Sequence, residues 1–341
     1  MAKKRLHFID KCIYFLNVVA AFLLLLSYII PYISPEYLPF ISILNLGIPL
    51  LILLNFVFIL YWLVKLRKQL LLSGIILLIG YSHISSLYVF SEKKQEDTHA
   101  FKIMSYNVRH FNFYKWIDNE NLIEEMKQFI QKENPDFIAF QDYNAKSTFD
   151  IKHSYPYRFG ENSKESNVFY SKFPIIDQHY FEFVDSRNSA IFVDIQLESD
   201  TIRVFNIHLE SLKIEPDVKE LQNQNRKQLI KRVGESFKKQ ARQVEQILPY
   251  IENSPYQNIV IGDFNNSPFS YVYRKLKSNN LKDAFKERGN GFGKTFDFDF
   301  IPIRIDHALV DEKMEVIDFK NYEIKLSDHY PILVEFDLSK E

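Results

Sequence analysis

The chain has 341 residues, enough for a large core plus additional elements, and balances 42 Lys and Arg against 43 Asp and Glu. Nine of those basic and five of those acidic residues fall within 1–99, so the remainder carries a formal charge of −5 and lacks the basic footprint of a tight non-specific DNA binder. Cys12 is the only cysteine, which excludes an intrachain disulfide and thiolate metal sites and fits, without establishing, an oxidising compartment.

Three uncharged runs dominate the first hundred residues. They cover about 12–30, ending at Pro31; 40–64, followed by Lys65, Arg67 and Lys68; and 70–90, where His83 alone titrates near neutral pH. Each has about the 20 residues a helix needs to cross about 30 Å of hydrocarbon. Three such runs in succession, without one Asp, Glu, Lys or Arg, predict three transmembrane helices rather than buried soluble ones. Lys3, Lys4 and Arg5 would suit a signal peptide, but the run is long, lacks a small-x-small exit and is followed by two more, so an uncleaved anchor is expected. Basic residues cluster before the first run and between the second and third, whereas the loop from Pro31 to Pro39 has none. Both basic ends should therefore face the cytoplasm, delivering residue 91 onward to the outside of the cytoplasmic membrane. Lys93 and Lys94 weaken the contrast slightly. The expected organisation is a membrane domain over 1–90, a polar tether over 91–99 and a soluble domain over 100–341, with the lipid bilayer as a partner.

From Phe101 the pattern becomes short-period. Strands are expected at 101–106, 136–141, 190–197, 202–208, 258–262, 305–310 and 332–337, all rich in Ile, Val and Phe. Leu122, Ile123, Met126, Phe129 and Ile130 form a helical stripe that stops near Pro135. A longer helix is expected over about 226–250, with Ile230, Val233, Phe237, Ala241, Val244 and Leu248 on one face. Hairpin groups alternating with helices predict an α/β (α+β) fold, a four-layer α/β/β/α sandwich of two mixed sheets. The long helix also carries seven Lys and Arg between Arg226 and Arg242. They fit contact with anionic lipid or nucleic acid; the simpler reading is a solvated face, and Gly234 inside the helix argues against an ideal surface-seeking one.

Several expected strands end in amides, carboxylates or imidazoles: Ser105-Tyr106-Asn107, Phe140-Gln141-Asp142, Asn206-Ile207-His208, Gly262-Asp263-Phe264-Asn265, Arg304-Ile305-Asp306-His307 and Ser327-Asp328-His329. Such groups are costly to bury unpaired. A series of them suggests one shared acidic pocket suited to metal-assisted attack of water on a phosphate ester. Singly, each motif is as readily a turn or a structural hydrogen bond.

In order and spacing, these blocks resemble the endonuclease/exonuclease/phosphatase superfamily over roughly residues 101–338. The resemblance rests on Met104–Val108, Pro135–Asp142, Phe205–Leu209, Ile261–Asn265, Arg304–His307 and Leu326–Pro331, with Val168–Ile175 similar to a further family strand. It implies Mg²⁺ as cofactor, with Mn²⁺ an alternative, held through oxygen by Asn107, Asp142 and Asp328. It also implies that Asp263 and Asn265 position the attacking water and a phosphoryl oxygen. His329 would be paired with Asp306, and His208 would face the phosphate from the other side as donor or acid to the leaving group.

One position departs from the pattern: Asp142 stands where the family usually has Glu, so the cation must move, the strand end must shift or a water must bridge. The resemblance leaves nucleic acid, a lipid headgroup or a small phosphoester open as substrate. The competing reading is a catalytically impaired, membrane-anchored binding protein on the same fold. His307 should point to the opposite strand face, and His110, His153 and His179 read as surface or loop positions. Arg109 is equally a phosphate contact or a surface arginine.

Overall fold

The protein is described by a computed structural model over residues 6–91, 100–160, 166–198, 200–214, 217–299 and 301–338. Residues 92–99, nearly all of the expected tether, lie outside that range. The first apolar run forms α1 (Phe8–Ser27), continued by a 3-10 turn at Ile30–Tyr32. A short α2 (Pro39–Ser42) and a 3-10 turn (Ile43–Gly47) lead into α3 (Ile48–Val64). Phe8–Tyr32 and Pro39–Val64 are each long and apolar enough to cross a membrane. The first begins earlier than expected because Asp10 is neutralised in place: Lys65 lies 3.1 Å away and the Tyr61 hydroxyl donates to it at 2.6 Å.

The third run departs from the expectation of one helix over 70–90. It forms α4 (Leu70–Ile79) and α5 (Tyr81–Leu87), bent by 74° at Gly80. The reason is steric. A Cβ on Gly80 would lie 1.9 Å from the Tyr28 hydroxyl, which itself donates to the Ile76 carbonyl at 3.2 Å. The ten residues of α4 rise about 15 Å, half the thickness a straight span must cover. A polar cluster ties the bundle together: Asn17 donates to Ser73, Ser73 to Asn55, and the Trp62 indole to Asn17, at 2.6, 2.8 and 3.0 Å. In an apolar surrounding such bonds supply the specificity that dispersion alone does not.

The remaining chain is the expected sandwich. Its strands are β1 (Phe101–Asn107), β2 (Phe137–Gln141), β3 (Tyr157–Phe159), β4 (Val168–Ser171), β5 (Ile175–Glu182), β6 (Ser189–Gln196), β7 (Thr201–His208), β8 (Gln257–Asp263), β9 (Leu281–Asp283), β10 (Asp306–Asp311), β11 (Glu315–Asn321) and β12 (Ile332–Asp337). They form two six-stranded sheets, ordered β11-β12-β1-β2-β4-β3 and β5-β6-β7-β8-β10-β9. Only the central pairs β1–β2 and β7–β8 are parallel, so both sheets are mixed. Alternation along each strand divides its side chains between layers. Ile103, Phe137, Val204, Ile259, Ile261 and Val334 meet between the sheets. Met104, Ile138 and Phe140 face α6 (Leu122–Glu133), and Phe205, Ile207 and Val260 face α8 (Arg226–Glu252). Shorter helices α7 (Val218–Asn223), α9 (Tyr271–Lys277) and α10 (Ala284–Arg288) lie in the connections.

The bundle and the sandwich are packed together. Arg242 of α8 pairs with Glu36 at 2.6 Å, and Arg274 of α9 donates to the Pro31 carbonyl at 3.0 Å while stacking on Tyr32. Gly234 lies against α2, where a Cβ would meet Pro39 at an ordinary contact distance of 3.4 Å, so this part of α8 faces the bundle instead of water. Phe269 inserts among Ala21, Leu24, Ile48 and Ile76 of the bundle. Val89 pairs with Gly291 as an isolated bridge, and the Arg304 guanidinium reaches the Ser86 carbonyl at 3.3 Å. The sandwich therefore sits at the end of the bundle where α1 finishes, opposite the end holding Asp10 and Lys65.

Candidate active site

Strand register builds the site. Asn107 is level with Gln141 across the parallel β1–β2 pair, and His208 with Asp263 across β7–β8. Asp263 is level with Asp306, the first residue of the antiparallel β10. Polar residues separated by up to 199 positions in the chain thus reach one rim of the sandwich. Gly262 makes the β7–β8 alignment feasible: its φ is 138°, and a Cβ there would lie 2.1 Å from the Ile207 carbonyl oxygen.

Asp263 stands at the centre, almost wholly buried. Asn107 Nδ2 donates to its Oδ2 at 3.0 Å, the Asn265 backbone N–H donates to its Oδ1 at 2.8 Å, and Asn265 Nδ2 donates to Oδ2 at 3.1 Å. His208 Nε2 lies 3.4 Å and His329 Nε2 3.7 Å from the same Oδ2. Burial pushes the Asp263 carboxyl up to about 6; the neighbouring His329 opposes the rise and Asp306 adds to it. His329 has the opposite balance. Burial disfavours its charge, but Asp306, 2.9 Å from Nδ1, and Asp263 outweigh this and raise it to about 10. The His329–Asp306 pair is thus an imidazolium held by a carboxylate. Asp306 is itself fixed from behind, with its backbone N–H donating to Thr295 Oγ1 at 3.0 Å.

The residues expected to hold a cation lie along the same rim. Asp142 follows β2 in a left-handed turn, with φ 49°, and its carboxylate is about a third exposed, with Oδ1 3.6 Å from His208 Nδ1. That separation is too long for a hydrogen bond, and among the described residues Nδ1 makes none. Asn107 Oδ1 accepts from the Arg109 N–H at 3.1 Å. Asp328 is partly open and pairs with Arg109 at 3.1 Å. Asn107, Asp142, His208, Asp263, Asn265, Asp328 and His329 all line one cavity of about 680 Å³; Asp306 stands behind His329.

Asp263, Asp306 and His329 also lie close enough together to hold a cation, with ligand atoms within 4.8 Å of one another. Their hydrogen bonding argues against it, because His329 is held in its charged form and its Nδ1 is engaged by Asp306. Carboxylate and amide oxygens at Asn107, Asp142 and Asp328 suit a hard divalent ion better.

Several contributors were not legible in the sequence. Gln141, fully buried, donates to Asn206 Oδ1 at 2.7 Å, and Asn206 Nδ2 donates to the Phe140 carbonyl at 2.9 Å, so two amides join the sheets beneath the rim. The signal available was an amide at an inward position of an apolar strand. Arg109 opens a left-handed turn of four non-glycine residues, with φ values of 41°, 57°, 53° and 57° through Asn112. Each is disfavoured by about 1–2 kcal/mol, and the turn is held by Phe111, which stacks on Phe149 at 4.5 Å, and by two Asn112–Ile117 hydrogen bonds of 2.7 and 2.9 Å. This places Arg109 over the Trp116 ring, 4.2 Å from its centroid, and against Asp328. His110, expected at a surface or loop position, lies partly exposed in this turn and also lines the cavity. His179, expected in a loop or at the surface, lies on β5 and stacks against Tyr250 and Phe192 at 5.0 and 5.7 Å. His153 is exposed. His307 does point away from the site: Arg304 donates to its Nδ1 at 3.1 Å and its Nε2 donates to the Asn266 carbonyl at 2.8 Å.

Comparisons with known proteins agree with this architecture. Residues 10–87 match a family described as a domain of unknown function. No curated protein matches the chain. Among solved structures, an endonuclease/exonuclease/phosphatase from Bacteroides vulgatus is similar at 18% identity and a TM-score of 0.54, covering 71% of this chain and 100% of that one. D. rerio TDP2, solved with a single-strand DNA product, is similar at 13% identity and 0.52, covering 70% and 99%. A Bacteroides thetaiotaomicron mannosyl-6-phosphatase is similar at 18% and 0.50, covering 70% and 100%. At these identities the likeness shows the fold. Membership rests on a sequence match over residues 104–329, well over half of the chain: the protein belongs to the endonuclease/exonuclease/phosphatase family, hydrolases of phosphoric ester bonds.

Proposed function

We propose that the chain is a membrane-anchored, divalent-metal-dependent phosphoesterase: a membrane part over about 1–90 carries a catalytic part over 100–341 outside the cytoplasmic membrane. The observation that supports the chemistry most directly is the group Asn107–Asp263–Asn265–His329–Asp306, whose donors and acceptors converge on one cavity. In this reading ionised Asp263 accepts a proton from the attacking water, which Asn265 helps to orient. His329, held as a cation by Asp306, stabilises charge developing on a phosphoryl oxygen. His208 faces the phosphate between Asp142 and Asp263 and donates toward the leaving group. Asn107, Asp142 and Asp328 would hold Mg²⁺ or Mn²⁺, which when bound supplies Lewis-acid neutralisation of phosphate charge. The shorter Asp142 meets the rim through its left-handed backbone, directing its carboxylate beside His208.

Orientation is supported by charge. The basic residues around Lys65 lie at the bundle end away from the sandwich, as positive-inside bias requires for a catalytic part on the outer side. The experiment is a screen of phosphodiesters and phosphomonoesters with the full chain in nanodiscs. Turnover should require Mg²⁺ or Mn²⁺, cease with EDTA, and fall about 10²–10⁴-fold in Asp263→Asn. Wild-type turnover by that variant would refute the assignment. No turnover together with no calorimetric Mg²⁺ binding would favour a binding protein.

A further inference from the structure

We infer that the phosphoester taken by this site is membrane-borne: an amphiphile whose phosphate meets Asp263 and His329 while its alkyl chain lies between the bundle and the sandwich. This rests on the phosphoesterase reading above and concerns only the substrate class.

The cavity is not enclosed by the sandwich alone. Its wall is completed by Leu46, Pro49 and Leu87 from the helical bundle, facing Trp116, Phe292 and Ile301 from the sandwich. At about 680 Å³ it is large enough to enclose a drug-sized molecule, far more than a phosphate group needs. Apart from the catalytic groups the lining is chiefly aliphatic and aromatic, with Asn45, Ser86, Ser211 and Lys213 among the polar exceptions. Leu46, Trp116, Phe292 and Ile301 are all substantially exposed, an arrangement expected where an apolar ligand or bilayer covers them.

The apolar surface continues out of the cavity. Beyond Leu46 and Pro49, α3 presents Leu50, Leu53 and Val57, exposed and spaced three or four residues apart on one helical face. A chain leaving the cavity along this face passes directly onto the lipid-facing side of a candidate span. The bend at Gly80 assists, because α5 turns aside at the junction and brings Leu87 to the cavity wall instead of continuing α4.

Charge disfavours a nucleic acid. A polyanion bound along its backbone needs cations free to neutralise successive phosphates. Among the described residues the cavity's Lys and Arg side chains each have a carboxylate partner, Arg109 with Asp328 at 3.1 Å, Lys213 with Glu210 at 3.3 Å and Arg304 with Asp283 at 3.0 Å, which leaves the His329 cation for a single phosphate. One phosphate at the catalytic group and a neutral chain against the aliphatic and aromatic lining match this cavity.

The test uses the full chain in nanodiscs with Mg²⁺ and two matched pairs: methyl and hexadecyl p-nitrophenyl phosphate as diesters, and methyl and hexadecyl phosphate as monoesters. In at least one pair the hexadecyl ester should have the higher kcat/KM by about 100-fold. Leu87→Glu, on the bundle wall, should lower that hexadecyl-to-methyl ratio at least about tenfold. Phe292→Glu, on the opposite wall, should do the same and guards against a folding defect in the first variant. Equal efficiencies within each pair, a ratio unchanged in both variants, or faster cleavage of a single-stranded oligonucleotide would overturn the inference while leaving a phosphoesterase. If none of these substrates is turned over, the underlying functional reading fails, and this one with it.

Discussion

In the proposed chemistry Asp263 and His329 have opposite tasks in the same desolvated space, and their environments separate them accordingly. Burial lifts the carboxyl to about 6, while two carboxylates lift the imidazole to about 10. Between those limits the first is ionised and the second protonated, the pairing that the proposed chemistry needs. The rate should therefore fall as pH drops through about 6, where Asp263 takes up a proton, and again as it rises toward 10, where His329 loses one. Asp306→Asn removes the main charge holding that proton, so the alkaline limb should move to lower pH in a kcat profile; an unmoved limb would exclude the pairing. A second histidine has the reverse shift for a structural reason. Burial, reinforced by Arg304, presses His307 from 6.5 down to about 3. The unfolded chain binds a proton there at a pH where the folded chain does not. Its contribution to stability is thus present above about 6.5 and lost as pH falls toward 3. In full-chain denaturant titrations, His307→Asn should show a smaller loss between pH 7 and 4.5 than the parent protein.

At the scale of elements, the site depends on how closely neighbouring strands and helices can approach. β7 and β8 bring His208 level with Asp263 only because Gly262 leaves room for the Ile207 carbonyl. Gly262→Ala combines a 2.1 Å clash with an unfavourable φ of 138°, so a loss of about 3 kcal/mol or more is expected, read as a fall in thermal midpoint. An unchanged midpoint would mean that the two strands are not held in this register. The bend between α4 and α5 has the same kind of cause, with Tyr28 occupying the space a side chain on residue 80 would need. Helix α8 differs, since no clash demands its glycine: Gly234 lies against Pro39 and Arg242 pairs with Glu36, a contact which the basic composition of the helix did not disclose.

For the molecule as a whole, the relation of bundle to sandwich decides what reaches the candidate site. Pro31, Glu36 and Pro39 pack on the sandwich, whereas Lys65 to Lys68 lie at the far end of the helices. In a Cys12→Ser background, Tyr37→Cys and Val184→Cys should react with an impermeant maleimide in intact cells, and Leu66→Cys only after permeabilisation. Labelling of Leu66→Cys alone would reverse the proposed orientation, and labelling of all three would contradict a single one.

The sequence by itself determined the layers and the identity of the rim. Apolar alternation in the strands and helical stripes at 122–130 and 226–250 report burial directly, and polar residues ending apolar runs reveal where strands emerge. It also showed three uncharged runs, because the absence of charge is a local property. It missed β3, β5, β9 and β11, whose side chains are partly exposed or whose runs are too short to leave a pattern. The tertiary structure alone decided that the third run bends, that Arg109 folds back onto Asp328, that Gln141 and Asn206 bond across the sheets, and that bundle residues complete the cavity. Each of these depends on a contact between distant segments, where space and unsatisfied polar groups, rather than the residues' own periodicity, select the conformation.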